Sequence, residues 1–151
     1  MQEFSSIDSI LDFAIAGEQE AVEFYLGLSS QTNNQFMKEA FEQFAREEMA
    51  HKAQLLRVKA EGVKDHWNEK VTDMMIADFV VDVVATPDTS YQDALVIAMK
   101  KEKAAYKLYM SLSEKTSSTE LKNLFLGLAN EEAKHKLRFE LEYDEFVLRE
   151  N

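Results

Sequence analysis

A chain of 151 residues with 46% apolar content is long enough to bury one substantial core, and its single proline and four glycines leave few helix breakers. The lack of cysteine excludes disulfides, thiolate chemistry and Cys-ligated iron–sulfur or rubredoxin-type centres within these residues, and a formal net charge of −11 argues against a nucleic-acid binder, which needs a basic footprint. No apolar run reaches about 18 residues, so no membrane span is expected; the start has no basic n-region or apolar h-region of a signal peptide, so a cytoplasmic location is expected.

The periodicity predicts four long helices, over about 6–30, 34–61, 91–115 and 118–149 of a single domain spanning 1–151. Ser5 or Ser6 can cap the first, whose apolar stripe runs Ile7, Ile10, Leu11, Ala14, Ile15, Val22, Tyr25 and Leu28. Glu18 lies on that stripe; Glu20 and Glu23 lie off it. The second helix starts near Asn34, carries Met37, Phe41, Phe44, Leu55 and Val58 on its seam, and stops at Gly62. Residues 62–90 differ in character: a loop around Trp67, an apolar stretch from Val71 to Ala85 that reads as a short helix or an extended strap, then Pro87. Their length suits a crossover joining two helices that point the same way. Ser90 with Asp93, and Ser117 with Glu120, read as capping boxes for the third and fourth helices.

The chemistry sits in Glu48-Met-Ala-His51 and Glu132-Ala-Lys-His135. Positions three apart on a helix are neighbours, so one carboxylate and one imidazole can close on the same metal ion. A single Glu-x-x-His is usually a surface pair. Here both copies fall on apolar seams, and an internal repeat multiplies them. A shift of 84 positions takes Glu18 to Glu102, Ala21 to Ala105, Tyr25 to Tyr109, Glu48 to Glu132 and His51 to His135. Two helix hairpins related by a pseudo-two-fold axis bring four Glu and two His to one level of a bundle. Ionised and unpaired, each such carboxylate would cost several kcal/mol; a pair of metal ions removes that cost. Glu20, Glu23, Glu47 and Glu131 read as solvated-face charges, Tyr106 and the methionines as core, and His66 as a surface histidine rather than an extra ligand.

This constellation resembles the ferritin-like di-iron carboxylate proteins, in which one Glu from each of two helices joins Glu-x-x-His from each of the other two. Within that superfamily it is most similar to the rubrerythrin-related group, through the shared Glu-x-x-Ala-x-x-x-Tyr of the first and third helices. The resemblance implies an all-α, ferritin-like four-helix bundle with a long crossover between helices two and three. It implies two Fe ions per chain, or Mn, with Glu18 and Glu102 as terminal ligands, Glu48 and Glu132 bridging, and His51 and His135 binding one ion each. Tyr25 and Tyr109 would donate hydrogen bonds to the carboxylates. The chain departs from rubrerythrin in having no rubredoxin domain and in placing Ala105 where rubrerythrins carry a further carboxylate.

The function so implied is a di-iron oxidoreductase of oxidative-stress defence, reducing hydrogen peroxide or O₂ with an external electron donor such as a rubredoxin-type protein. The alternative is a ferroxidase or iron-handling protein that binds and oxidises Fe(II). A homodimer is expected rather than a cage, since no fifth helix follows the fourth.

Overall fold

The structure, a computed structural model, describes residues 4, 6–62, 67, 74–81, 83 and 85–150. Four helices carry the chain: α1 (Ile7–Gln31), α2 (Gln35–Glu61), α3 (Tyr91–Lys115) and α4 (Thr119–Glu150). Their ends follow from local chemistry. Ser6 and Ser9 exchange side-chain and backbone hydrogen bonds in a capping box that starts α1. The Asn34 side chain accepts from the backbone N–H groups of Phe36 and Met37 at the start of α2. Gly62 ends α2 at φ 73°, a backbone conformation that glycine adopts without the penalty of a Cβ. Ser90 accepts from the Asp93 N–H. At α4 the capping hydroxyl is that of Ser118, which accepts from the Leu121 N–H, not that of Ser117.

The helices pair as two hairpins, α1 with α2 and α3 with α4, which pack into an all-α, ferritin-like bundle. Two apolar clusters fill its ends. One joins Ile7 and Ile10 of α1 to Leu55, Leu112 and Phe125. The other joins Tyr25 and Leu28 to Met37, Phe41, Leu95 and Phe139. The start of α1 thus lies beside the end of α3, and α2 and α3 run the same way, as a long crossover requires. Each large side chain so buried stabilises the fold by about 1.5–3 kcal/mol.

The crossover carries no α-helix among the described residues. A short 3₁₀ turn, Ile76–Phe79, packs against α3, and Val80 leaves it in extended conformation. The segment is tied at Trp67, which bridges to Thr116, and at Met74, whose carbonyl accepts from the Phe4 N–H. His66 lies outside the described residues, as do positions 71–73, 82 and 84 of the apolar stretch from Val71 to Ala85. Two core assignments differ from expectation. Tyr106 is 37% exposed and Met49 48% exposed, because both sit on the flank of their helix rather than on its inward stripe. No helix among the described residues is long and apolar enough to cross a membrane.

Candidate metal centre

Between the two apolar ends lies one polar layer. Glu18, Glu48, His51, Glu102, Glu132 and His135 are all at most 3% exposed, although charged residues are almost never so buried without partners. Their donor atoms form two overlapping groups, Glu18–Glu48–His51–Glu132 and Glu48–Glu102–Glu132–His135, within 4.8 Å in each group. Glu48 and Glu132 belong to both. One carboxylate from α1 or α3 and one imidazole complete each group, so the six residues singled out by the repeat meet in one place.

The distances show how. His51 Nδ1 lies 2.8 Å from Glu132 Oε1, 3.5 Å from Glu48 and 3.7 Å from Glu18. His135 Nδ1 lies 2.9 Å from Glu48 Oε1 and 3.5 Å from Glu102. The two imidazole rings are nearly parallel, 6.5 Å apart. Tyr109 donates to Glu18 and Tyr25 to Glu102, so each phenol crosses from one hairpin to the terminal carboxylate of the other.

The outer nitrogens reveal two residues that the sequence reading assigned to a solvated face. His51 Nε2 faces Glu131 Oε2 at 2.5 Å, and His135 Nε2 faces Glu47 Oε2 at 2.7 Å. These contacts link α2 to α4 in both directions. A carboxylate on the outer nitrogen fixes ring orientation and makes the inner nitrogen a better ligand. The signal was present: the 84-residue shift that pairs Glu48 with Glu132 also pairs Glu47 with Glu131. Phe44, whose ring centre lies 4.3 Å from that of His135, holds the second imidazole further. Glu20 and Glu23 remain exposed, as expected.

Electrostatics report the strain of the layer without metal. Burial, then the Glu48 carboxylate, pushes Glu18 up to about 8. Burial and the charge of Glu102 push Glu132 well above the usual carboxylate range. Burial on its own would lower His135, but the Glu102 and Glu48 carboxylates beside it outweigh burial and raise the group to about 11. His51 is raised in the same way, against burial, by Glu132, Glu18 and Glu48. Burial and the Glu18 charge also hold the Tyr109 phenol protonated as a donor.

The donor set fits a pair of metal ions. Glu18 Oε2, Glu48 Oε1, Glu102 Oε2 and His135 Nδ1 are buried without a hydrogen-bond partner among the described residues. Glu48 Oε1 and His135 Nδ1 are only 2.9 Å apart, yet out of hydrogen-bond alignment. Such buried orphan atoms require an explanation, and convergence on a common cation supplies one. Carboxylates and imidazoles suit Fe or Mn better than metals that seek soft sulfur.

The rubrerythrin family model matches residues 9–143. The chain belongs to the rubrerythrin family. A solved structure of a hypothetical protein from Pyrococcus furiosus is similar over 93% of this chain and 89% of that one, with 26% identity and a TM-score of 0.74. No curated protein matches the chain. Ala105, one turn after Glu102, borders an open cavity beside the layer.

Proposed function

We infer that this rubrerythrin-family chain is a di-iron oxidoreductase that holds two Fe ions and reduces hydrogen peroxide, with O₂ as the slower oxidant. The observation that carries this reading is the pair of overlapping donor groups sharing Glu48 and Glu132. Two Fe(II) ions held there would supply the two electrons that, with two protons, convert hydrogen peroxide to two waters. The protein's part is positional. Glu47 and Glu131 hold the outer imidazole N–H groups, leaving Nδ1 of each ring free to bind. The Tyr25 and Tyr109 hydroxyls fix the terminal carboxylates and stand as proton-bearing groups beside them. With no cysteine in the 151 residues, the electrons for repeated turnover come from an external donor such as a rubredoxin-type protein.

The test is stopped-flow mixing of the anaerobic Fe(II) protein with each oxidant. Peroxide should oxidise the centre faster than O₂ and without loss of iron, giving one turnover alone and many with an added donor. Oxidation by peroxide no faster than by O₂, with no donor supporting turnover, contradicts the reading.

One observation favours the iron-handling alternative. Glu47 and Glu131 keep 37% and 48% of their side chains exposed while touching the histidines. They line a groove of about 530 Å³ on the α2–α4 side, shared with Glu39, Lys134 and Arg138, by which Fe(II) could reach the layer. Iron accumulating beyond two per chain under Fe(II) and O₂ would select that role.

A further inference from the structure

The α1–α3 side of the layer opens into a cavity of about 730 Å³, with Glu18, Glu48, Glu102 and Glu132 among its walls. Peroxide does not need this space. A water occupies roughly 30 Å³, so the cavity could hold more than twenty. Its size falls in the range of sites for organic ligands, about 300–1,000 Å³. The room comes from small side chains facing one another, Ala14, Gly17 and Ala21 on α1 and Ala104 and Ala105 on α3. A Cβ added at Gly17 would meet nothing within 4 Å. Val80, Val81 and Val83 of the crossover add an apolar wall.

The two ends differ. At one stand Phe13, Phe79 and Leu108, all apolar. At the other, Lys101 Nζ lies 5.5 Å from the centre of the Phe24 ring. Lys101 is the one cation in the described lining, and it makes no ion pair among the described residues; Glu20 and Glu23 line the cavity from exposed positions, where solvent screens their charge. Phe13 and Phe24 are eleven residues apart on α1, about 16 Å along the helix axis. An occupant that satisfies both ends has one anionic group and a long apolar body.

We propose that this cavity binds an unbranched aliphatic carboxylic acid, with its carboxylate at Lys101 and its chain laid across the Glu18–Glu102 face toward Phe13, Phe79 and Leu108. This goes beyond the peroxidase reading and rests on the cavity and Lys101, not on the oxidation state or presence of metal. The apolar body displaces water from the Ala, Gly and Val walls, which drives binding; the lysine fixes direction. A chain so placed passes directly over the carboxylate layer.

The experiment is calorimetric titration of the full chain with dodecanoic acid and with dodecan-1-ol, metal-free and Fe(II)-loaded, with metal content and solution mass measured on each sample. One dodecanoate per chain should bind. Gly17→Leu, at a position where an added Cβ meets nothing within 4 Å, places its side chain in the cavity and should weaken both ligands at least tenfold. Ala104→Leu provides the same test should Gly17→Leu not fold by circular dichroism. Lys101→Gln should weaken dodecanoate about tenfold and leave dodecan-1-ol unchanged. Ala40→Leu, on the α2–α4 groove, should change neither. No saturable binding, or binding untouched by filling the cavity, overturns the proposal. So does a dimer that binds no dodecanoate and falls to monomer mass in Gly17→Leu, since a second copy would then be the occupant. Metal content reports separately on the metal centre: its loss with binding retained strikes the function reading alone.

Discussion

The two sides of the carboxylate layer are built oppositely from the same repeat. On the α2–α4 side the layer borders a groove, but its histidines are pinned from outside. Each histidine is held by a carboxylate from the facing helix, and Phe44 covers His135. On the α1–α3 side, Ala21 and Ala105 replace bulk, and the terminal carboxylates look into open volume. Helix pairs that share a pattern at 84-residue spacing thus divide the labour. One side fixes where donor atoms point; the other leaves room beside them. The anchoring comes from the Glu47 and Glu131 carboxylates, the room from Gly17, Ala21, Ala104 and Ala105.

The largest effect should come from the shared carboxylates that both sides use. Glu132→Ala should abolish stable binding of both ions, since Glu132 belongs to both donor groups. His51→Ala should weaken mainly one. Metal titration followed by mass spectrometry under native conditions separates the two outcomes, and equal loss in both variants would break the distinction between shared and single ligands.

Next comes metal removal. Binding to the folded state alone stabilises it by about 3 kcal/mol at a hundredfold excess over Kd, which for a chain of this size corresponds to roughly 6–10 °C in Tm. Scanning calorimetry of metal-free and loaded protein at pH 7 should show that gap. Equal melting temperatures would place the metal outside the buried layer.

The α2–α4 side can then be probed by itself. Glu47→Gln and Glu131→Gln keep size but lose the charge on the outer imidazole nitrogen, and each should lower affinity for one ion by about 10–100-fold. Glu20→Gln and Glu23→Gln, on the exposed rim of the open side, should change affinity little. Were all four variants alike, the asymmetry between the two sides would have no functional content.

The smallest and most gradual effect is on pH. Glu18 in the metal-free fold is raised to about 8 from an ordinary 4.5, so the folded state holds a proton that the unfolded chain releases. Its contribution therefore falls as pH rises from about 4.5 to 8. His135, raised from 6.5 to about 11, contributes fully below 6.5 and loses that contribution as pH rises toward 11. Both act in the same direction, so the metal-free protein should lose stability steadily from mildly acidic to alkaline pH. Denaturant midpoints at pH 5.5, 7 and 9 check the sign. Metal uptake at pH 7 should release protons, because a ligand nitrogen must be deprotonated; a pH-stat titration measures them.

Much of the fold was legible because local signals agreed. Asn34, Gly62 and Ser90 act where their chemistry implies, and the inward stripes of α1 and α2 carry the expected residues. The six donors were legible because a buried Glu or His on an apolar seam is costly, and the repeat placed them at one level. Glu47 and Glu131 were paired by the same repeat, but their role depends on which histidine of the facing helix they reach, a relation that helical period does not encode. Tyr106 and Met49 were misread as core since a flank position shares the apolar residue types of a stripe. The shift to Ser118 reflects a choice between neighbouring hydroxyls that packing of the α3–α4 turn decides. The cavity was invisible in the sequence, because small residues on two helices read as close packing until the crossover wall beside them is placed.

The central claim is that Glu18, Glu48, His51, Glu102, Glu132 and His135 hold two ions in one buried layer. Elemental analysis of Fe(II)-loaded protein, after removal of free iron under anaerobic conditions, tests it most directly. The account requires two ions per chain in the unaltered protein and none stably held in Glu132→Ala. One ion or fewer per chain in the unaltered protein would contradict it.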